Sequence, residues 1–209
     1  MEKVAFLFGG EGNPFVGQDN LIRYDVFQRT LKQADRICQY GYSIEGLMIN
    51  GPQSALDRPL YGQPALLSLE VGILNILRKI HEGFWNDLLP QARIFHGLGV
   101  GKWAAEVASR ALSASEGFRL AKERGLELER AKQHPVKRND EDERRTAFRY
   151  LADVIRPADC LIEIGAVKSL SCEIPELSRQ FPVFFFGPPT NIELELDRLE
   201  NVLRSNPNS

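Results

Sequence analysis

The stretch Ala92-Arg93-Ile94-Phe95-His96-Gly97-Leu98-Gly99-Val100-Gly101-Lys102-Trp103-Ala104-Ala105 is where this chain comes nearest to chemistry. An apolar pair, Ile94 and Phe95, runs into three alternating glycines and then into a helix-like pattern. That reads as a strand, a tight turn and a helix. Glycine serves such a turn by allowing positive φ or close backbone approach. The helix N-terminus that follows presents unpaired N–H groups to an anion. In the G-x-S-x-G form of this turn the central residue is a serine nucleophile. Here the centre of Gly97-Leu98-Gly99-Val100-Gly101 is Gly99, which has no side chain to react. The frame of a nucleophilic site is present without its reagent, and no catalytic residue is expected.

Nucleotide motifs fit the glycines poorly. A phosphate-binding loop of the form G-x-x-x-x-G-K-[ST] would need glycine where His96 stands and Ser or Thr where Trp103 stands. The dinucleotide fingerprint G-x-G-x-x-G fails because Lys102 replaces its third glycine. Lys102 at a helix start still leaves a phosphate-binding role open, for instance toward coenzyme A. Phe95 and Trp103 read as core. His81, His96 and His134 show no ligand spacing, so neither a metal nor a cofactor is expected. The cysteines Cys38, Cys160 and Cys172 are odd in number and form no C-x-x-C pair, which points to reduced thiols. Cys160 reads as core, and Cys172 has only a weak context for reactivity.

The chain has 209 residues, 43% hydrophobic and 26% charged, with a net charge of −2. That suits one α/β domain with a sizeable core. It gives no electrostatic case for nucleic acid or for an anionic membrane. No apolar run is read as approaching transmembrane length and no signal-like N-terminus is seen, so the expectation is a cytoplasmic protein.

Elements that would position the turn follow from the pattern. Lys3 to Phe8 is a continuous apolar run ended by Gly9-Gly10, as expected of a buried parallel strand. Helical spacing runs from Asn20 to Tyr40, with Gly41 as its stop. Tyr42 to Gly62 reads as connecting structure with one or two short helices. Gln63 to Ile80 predicts a central buried helix with Pro64 in its first turn. The strand near Arg93–His96 and a helix from Lys102 to Ser109 come next. Ser113 and Glu116 make a capping box for a helix reaching about Ala131. The charged segment 132–145 reads as a solvated link, leading into a helix over 140–155. Asp159–Ile164 and Phe181–Phe186 are further strands, Lys168–Leu177 a short helix and Ile192–Leu203 an amphipathic one. Residues 1–204 thus form one domain and 205–209 a polar tail. Strands alternating with helices imply a parallel sheet covered on both faces.

Taken together these residues resemble the malonyl-CoA:acyl carrier protein transacylase family, including polyketide synthase acyltransferases. Phe8-Gly9-Gly10-Glu11-Gly12-Asn13-Pro14 stands in the place of F-P-G-Q-G-S-Q. Leu60-Tyr61-Gly62-Gln63-Pro64-Ala65-Leu66-Leu67 matches T-x-x-T-Q-P-A-L. The region of G-H-S-L-G-E is followed here by Ala111-Leu112-Ser113 and by Arg124-Gly125, read as the end of the family's R-G helix. Glu163-Ile164-Gly165-Ala166-Val167 matches the E-V-G-P-G strand-turn. Order and spacing agree over Lys3–Ala131 and over about Arg144–Gly187. The fold implied is the parallel-sheet, α/β-hydrolase-like core of an acyltransferase.

The departures carry as much information as the matches. Counted from Ala111-Leu112-Ser113, Gly99 falls on the family's serine; counted from His96, Gly97 does. Either way no Ser or Cys lies between Phe95 and Ala108. The small ferredoxin-like subdomain and its histidine have no room, because only the link near 132–140 occupies their interval. His134 in that link reads as a solvated loop histidine. Glu11 replaces a glutamine in the loop whose backbone serves the oxyanion hole. Arg124 matches the arginine that pairs with the malonyl carboxylate, a task suited to a planar guanidinium; pairing with Glu11 or capping a helix C-terminus is the plainer alternative. Glu11, Gln63, Lys102 and Arg124 are therefore the candidate ligand-binding residues.

The resemblance implies a noncatalytic acyltransferase-like protein of fatty-acid or polyketide synthesis. Its expected partners are an acyl carrier protein, a ketosynthase-type component or its own copy, by contact centred on Phe15, Leu98, Trp103 and Phe184–Phe186. The alternatives are a divergent acyltransferase or thioesterase completed by a partner chain, and a binder of acyl-CoA or a carboxylate.

Overall fold

A computed structural model of the chain describes residues 4–9, 16–81, 86, 92–133, 160–165, 182–188 and 190–205. Four strands make one parallel sheet: β1 (Val4–Phe8), β2 (Ala92–Gly97), β3 (Cys160–Ile164) and β4 (Val183–Phe186), in the order β2-β1-β3-β4. Every residue of β1 and β3 is buried. A strand covered on both faces gains nothing from alternating polarity, which is why β1 reads as a continuous apolar run and β3 as one interrupted only by the buried Glu163. The register sets Phe6 between Phe95 and Ile162, and Phe8 between Gly97 and Ile164. Phe6 also stacks on Phe95, centroids 5.3 Å apart.

The helices are α1 (Asp19–Ile22), α2 (Asp25–Cys38), α3 (Ile44–Asn50), α4 (Gln53–Leu56), α5 (Pro59–Ile80), α6 (Gly101–Ala108), α7 (Ala114–Gln133) and α8 (Ile192–Ser205). α5 is the centre of the packing. It lies against α2, α6 and α7 and reaches β3, and every residue from Pro64 to Leu74 is buried. Its side chains join Phe6, Phe8, Ile162, Ile164, Phe184 and Phe186 in one core. By length and composition alone this helix could cross a membrane, contrary to the reading that no apolar run approaches that length. With 83% of its apolar window buried inside the protein, it has the pattern of a core helix.

Several element boundaries differ from expectation. α5 begins at Pro59 rather than Gln63, with Pro59 in the first turn and Pro64 inside the helix. Proline suits the first turn because it lacks an N–H that would go unpaired there. Pro64 gives up one intrahelical bond and is retained where burial of its neighbours outweighs that loss. The Asn20–Tyr40 helix is two helices. Tyr24, with extended backbone (φ −90°, ψ 119°), starts α2 afresh. α2 then ends at Gln39, in left-handed conformation at φ +51°, before Gly41 is reached. Half of the capping box is seen: Glu116 N–H donates to Ser113 Oγ at 3.1 Å, while the Glu116 carboxylate pairs with Arg119 at 2.8 Å. The link over 134–145, the helices expected over 140–155 and 168–177, and the final four residues lie outside the described residues.

Candidate functional site

Three sequence motifs meet at the C-terminal ends of the strands, where open α/β sheets gather their sites. Gly9 ends β1 and donates its N–H to Ile164 O at 2.9 Å. Gly165 ends β3 and donates to Phe186 O at 3.3 Å. Leu98, just past β2, donates to Phe8 O at 3.2 Å. The Phe8-Gly9, Ile164-Gly165 and Gly97–Gly101 segments are therefore stitched side by side.

The glycine turn itself is tightly wound. Gly101 N–H donates to Leu98 O at 2.8 Å, and Trp103 N–H to Val100 O at 3.0 Å. Leu98 and Val100 are buried, at 9% and 1% exposure, and pin the turn from both sides. Gly99 between them is exposed, with φ +53°. A Cβ on Gly97 would overlap the Gly101 carbonyl. Gly97 therefore has no room for a side chain, and Gly99 is the outward-facing apex of the turn. Positive φ is a conformation that an L-residue adopts at a cost and glycine adopts freely.

The other expected site residues are less concentrated. Lys102 is exposed in the first turn of α6, and Gln63 is half-buried on α5. Arg124 lies on α7 and pairs with Glu127, Nη1 to Oε2, at 3.3 Å. α7 runs on to Gln133, so Arg124-Gly125 is not a helix end and Arg124 does not cap a C-terminus. Gly125 is there for a packing reason: a Cβ would sit 2.6 Å from Pro59 O, where α7 crosses the start of α5. Glu11, His134 and Cys172 lie outside the described residues.

The contact surface expected from the sequence is not built as described. Leu98, Phe184 and Phe186 are buried, while Trp103 and Phe185 are half-buried; Phe15 lies outside the described residues. The strand-end phenylalanines fill the core because β4 packs under α8.

Two features escaped sequence reasoning. Glu70, fully buried on α5, brings Oε1 to 3.9 Å from where Gly9 would carry a Cβ. Its signal was a lone carboxylate inside the apolar run Leu66–Leu77. Arg78, half-buried at the other end of α5, donates to Ala108 O at 3.2 Å. Burial pulls its pKa down, and so does the neighbouring charge of Arg110. His96, half-buried before the turn, has its pKa lowered by burial. Among the described residues no group of three or more His, Cys, Asp or Glu could hold a metal ion.

No family model matches the chain. It is 29% identical over 135 residues to the malonyl CoA-acyl carrier protein transacylase of Haemophilus influenzae, covering 63% of this chain and 40% of that protein. It is 32% identical over 122 residues to the polyketide biosynthesis malonyl CoA-acyl carrier protein transacylase BaeC of Bacillus velezensis, covering 58% and 39%. The chain thus spans about two fifths of the length of these curated relatives. The crystal structure of MCAT from Streptococcus pneumoniae is 29% identical, with a TM-score of 0.51 over 62% of this chain and 39% of that one. A malonyl CoA-acyl carrier protein transacylase structure from Clostridium perfringens aligns with 99% of this chain and 100% of its own, with a TM-score of 0.72 at 16% identity. That last likeness shows the fold alone. A type II PKS acyl-carrier protein in complex with its malonyl-transacylase is a further structural neighbour, at 24% identity and a TM-score of 0.51. The chain is thus similar to malonyl CoA-acyl carrier protein transacylases over about three fifths of its own length, with glycine at the apex of the turn.

Proposed function

We propose that this chain is a noncatalytic acyltransferase-like protein of fatty-acid or polyketide synthesis, acting by contact with an acyl carrier protein, a ketosynthase-type component or a second copy of itself. One observation carries the reading. Gly99 stands exposed at the apex of an otherwise well-formed turn. Covalent acyl transfer needs an oxygen or sulfur nucleophile at that point, with a base within hydrogen-bond reach. Glycine supplies neither, and the backbone around it is kept in order. The names of the relatives support the pathway, and the complex of another transacylase with its carrier protein supports a carrier protein as partner. Arg124 gives no separate argument for malonate binding, because it already faces Glu127.

The test is intact-protein mass spectrometry after incubation with malonyl-CoA and with acetyl-CoA. No added acyl mass is expected. A stable gain of one acyl group, mapped to a Ser or Cys near the turn, would make the chain a divergent acyltransferase instead. Light scattering with a carrier protein and a ketosynthase from the same source tests the contact. A protein that stays monomeric and binds neither removes support for it.

A further inference from the structure

We infer that the groove between α2 and the C-terminal half of α5 is a binding site for the phosphate group of a small molecule, built from Arg29, Arg78 and Lys79 around a floor of Thr30 and Asn75. The groove is open to solvent and offers about 360 Å³, which lies within the usual size range of small-ligand sites. α2 contributes Val26, Arg29, Thr30 and Gln33, and α5 contributes Asn75, Arg78 and Lys79. These are the i, i+3, i+4, i+7 and i, i+3, i+4 spacings, so each helix turns one face to the groove. Three of the seven lining residues are cations and none is a carboxylate.

The polar floor is already arranged. Asn75 Nδ2 donates to Thr30 Oγ1 at 3.0 Å, and Thr30 Oγ1 donates to Val26 O at 2.9 Å. Gln33 is held by Ser115 Oγ at 3.1 Å. Arg78 spends one donor on Ala108 O, leaving most of its five N–H groups. No carboxylate pairs with it among the described residues, and Arg110 lies near enough to repel it. A half-buried cation facing other cations is an unfavourable arrangement that a bound dianion would relieve. Arg29 pairs with Asp25 at 2.9 Å, but that pair is exposed, 68% and 73%, and is worth little. Phosphate suits this set better than a lone carboxylate does, because it offers more acceptor oxygens to two guanidiniums and an ammonium.

The site is separate from the glycine turn. Arg78 holds the C-terminal carbonyl end of α6, whereas the turn forms its N-terminal end. The eight residues of α6 put roughly 12 Å between them along the axis. The inference does not depend on the proposed function.

The test is calorimetric titration of the full chain with inorganic pyrophosphate, with amide NMR shifts followed at Thr30 and Asn75. Saturable one-to-one binding that moves both signals is expected. The double substitution Arg29→Ala/Lys79→Ala, at two exposed side chains, should weaken it about tenfold or more. Its thermal unfolding should match the parent, which separates loss of binding from loss of fold. Arg78→Lys keeps the charge and removes the fork, and should weaken binding by a smaller factor. No saturable binding, or a double variant that binds as well as the parent, overturns the site. So does a glutamate-rich peptide that binds the groove more tightly than pyrophosphate, since the occupant would then be an acidic protein segment.

Discussion

The carbonyl oxygen of Gly101 occupies the place where Gly97 would carry a Cβ. The backbone of both residues is pinned by the β1–β2 pairing and by the first turn of α6, so neither yields easily. Gly97→Ala is expected to cost about 3 kcal/mol or more. Equilibrium denaturation in urea checks it. A variant within about 1 kcal/mol of the parent would mean that the turn relaxes to admit a side chain.

Gly99 should behave in the opposite way. It is exposed and pays only for its left-handed backbone. Gly99→Ser is expected to fold with a loss of about 1 to 2 kcal/mol. A loss as large as that of Gly97→Ala would contradict its assignment as the outward apex.

His96 gives the stability a pH dependence. Burial lowers its pKa in the folded chain, so the unfolded chain takes up the proton first as pH falls. Its contribution is whole above the unfolded value of about 6.5 and is lost as pH drops through that value toward the lower folded one. His96→Gln should flatten the decline in unfolding free energy between about pH 7 and about pH 5. An unchanged slope would assign the decline to other groups.

Cys38 is buried among α2 and its neighbours, and burial pushes its thiol up to about 11. Few molecules carry the reactive thiolate near neutral pH. Peptide mapping after a thiol reagent at mildly alkaline pH should find Cys38 unmodified in the native protein and modified in denaturant. Rapid native labelling would show that α2 opens locally.

The helix caps are ordinary but measurable. Asn191 Oδ1 accepts from Glu193 N–H at 3.1 Å and from Leu194 N–H at 3.3 Å. Ser113 Oγ caps α7. Asn191→Ala and Ser113→Ala should each cost about 1 kcal/mol, read as a shift in the urea midpoint. A neutral result at either would mean that solvent satisfies those donors as well.

The sheet was legible because buried parallel strands leave apolar runs, unbroken in Val4–Phe8 and interrupted only by Glu163 in Cys160–Ile164. The turn was legible in its spacing, but two registers competed for its apex. Only φ at Gly99 and the crowding at Gly97 separated them, and neither is a property of residue type. The start of α5 was missed because two prolines, Pro59 and Pro64, carry the same local signal, and tertiary burial chose the earlier one. Gln39 ended α2 ahead of Gly41 for a similar reason: the left-handed position fell where the packing of α2 stopped. The groove between α2 and α5 was invisible because Arg29 and Arg78 are neighbours only after two helices pack.

β1 is made first and sits in the middle of the sheet. Val4 pairs with Ala92 on one side and with Cys160 on the other. On a ribosome adding about 5–20 residues per second, roughly 8–30 s pass before its second neighbour exists. Through that interval a sticky Val-Ala-Phe-Leu-Phe segment has no strand on its β3 side. The early helices α2 and α5 share one core with β1 and are the elements on hand to cover it while it waits.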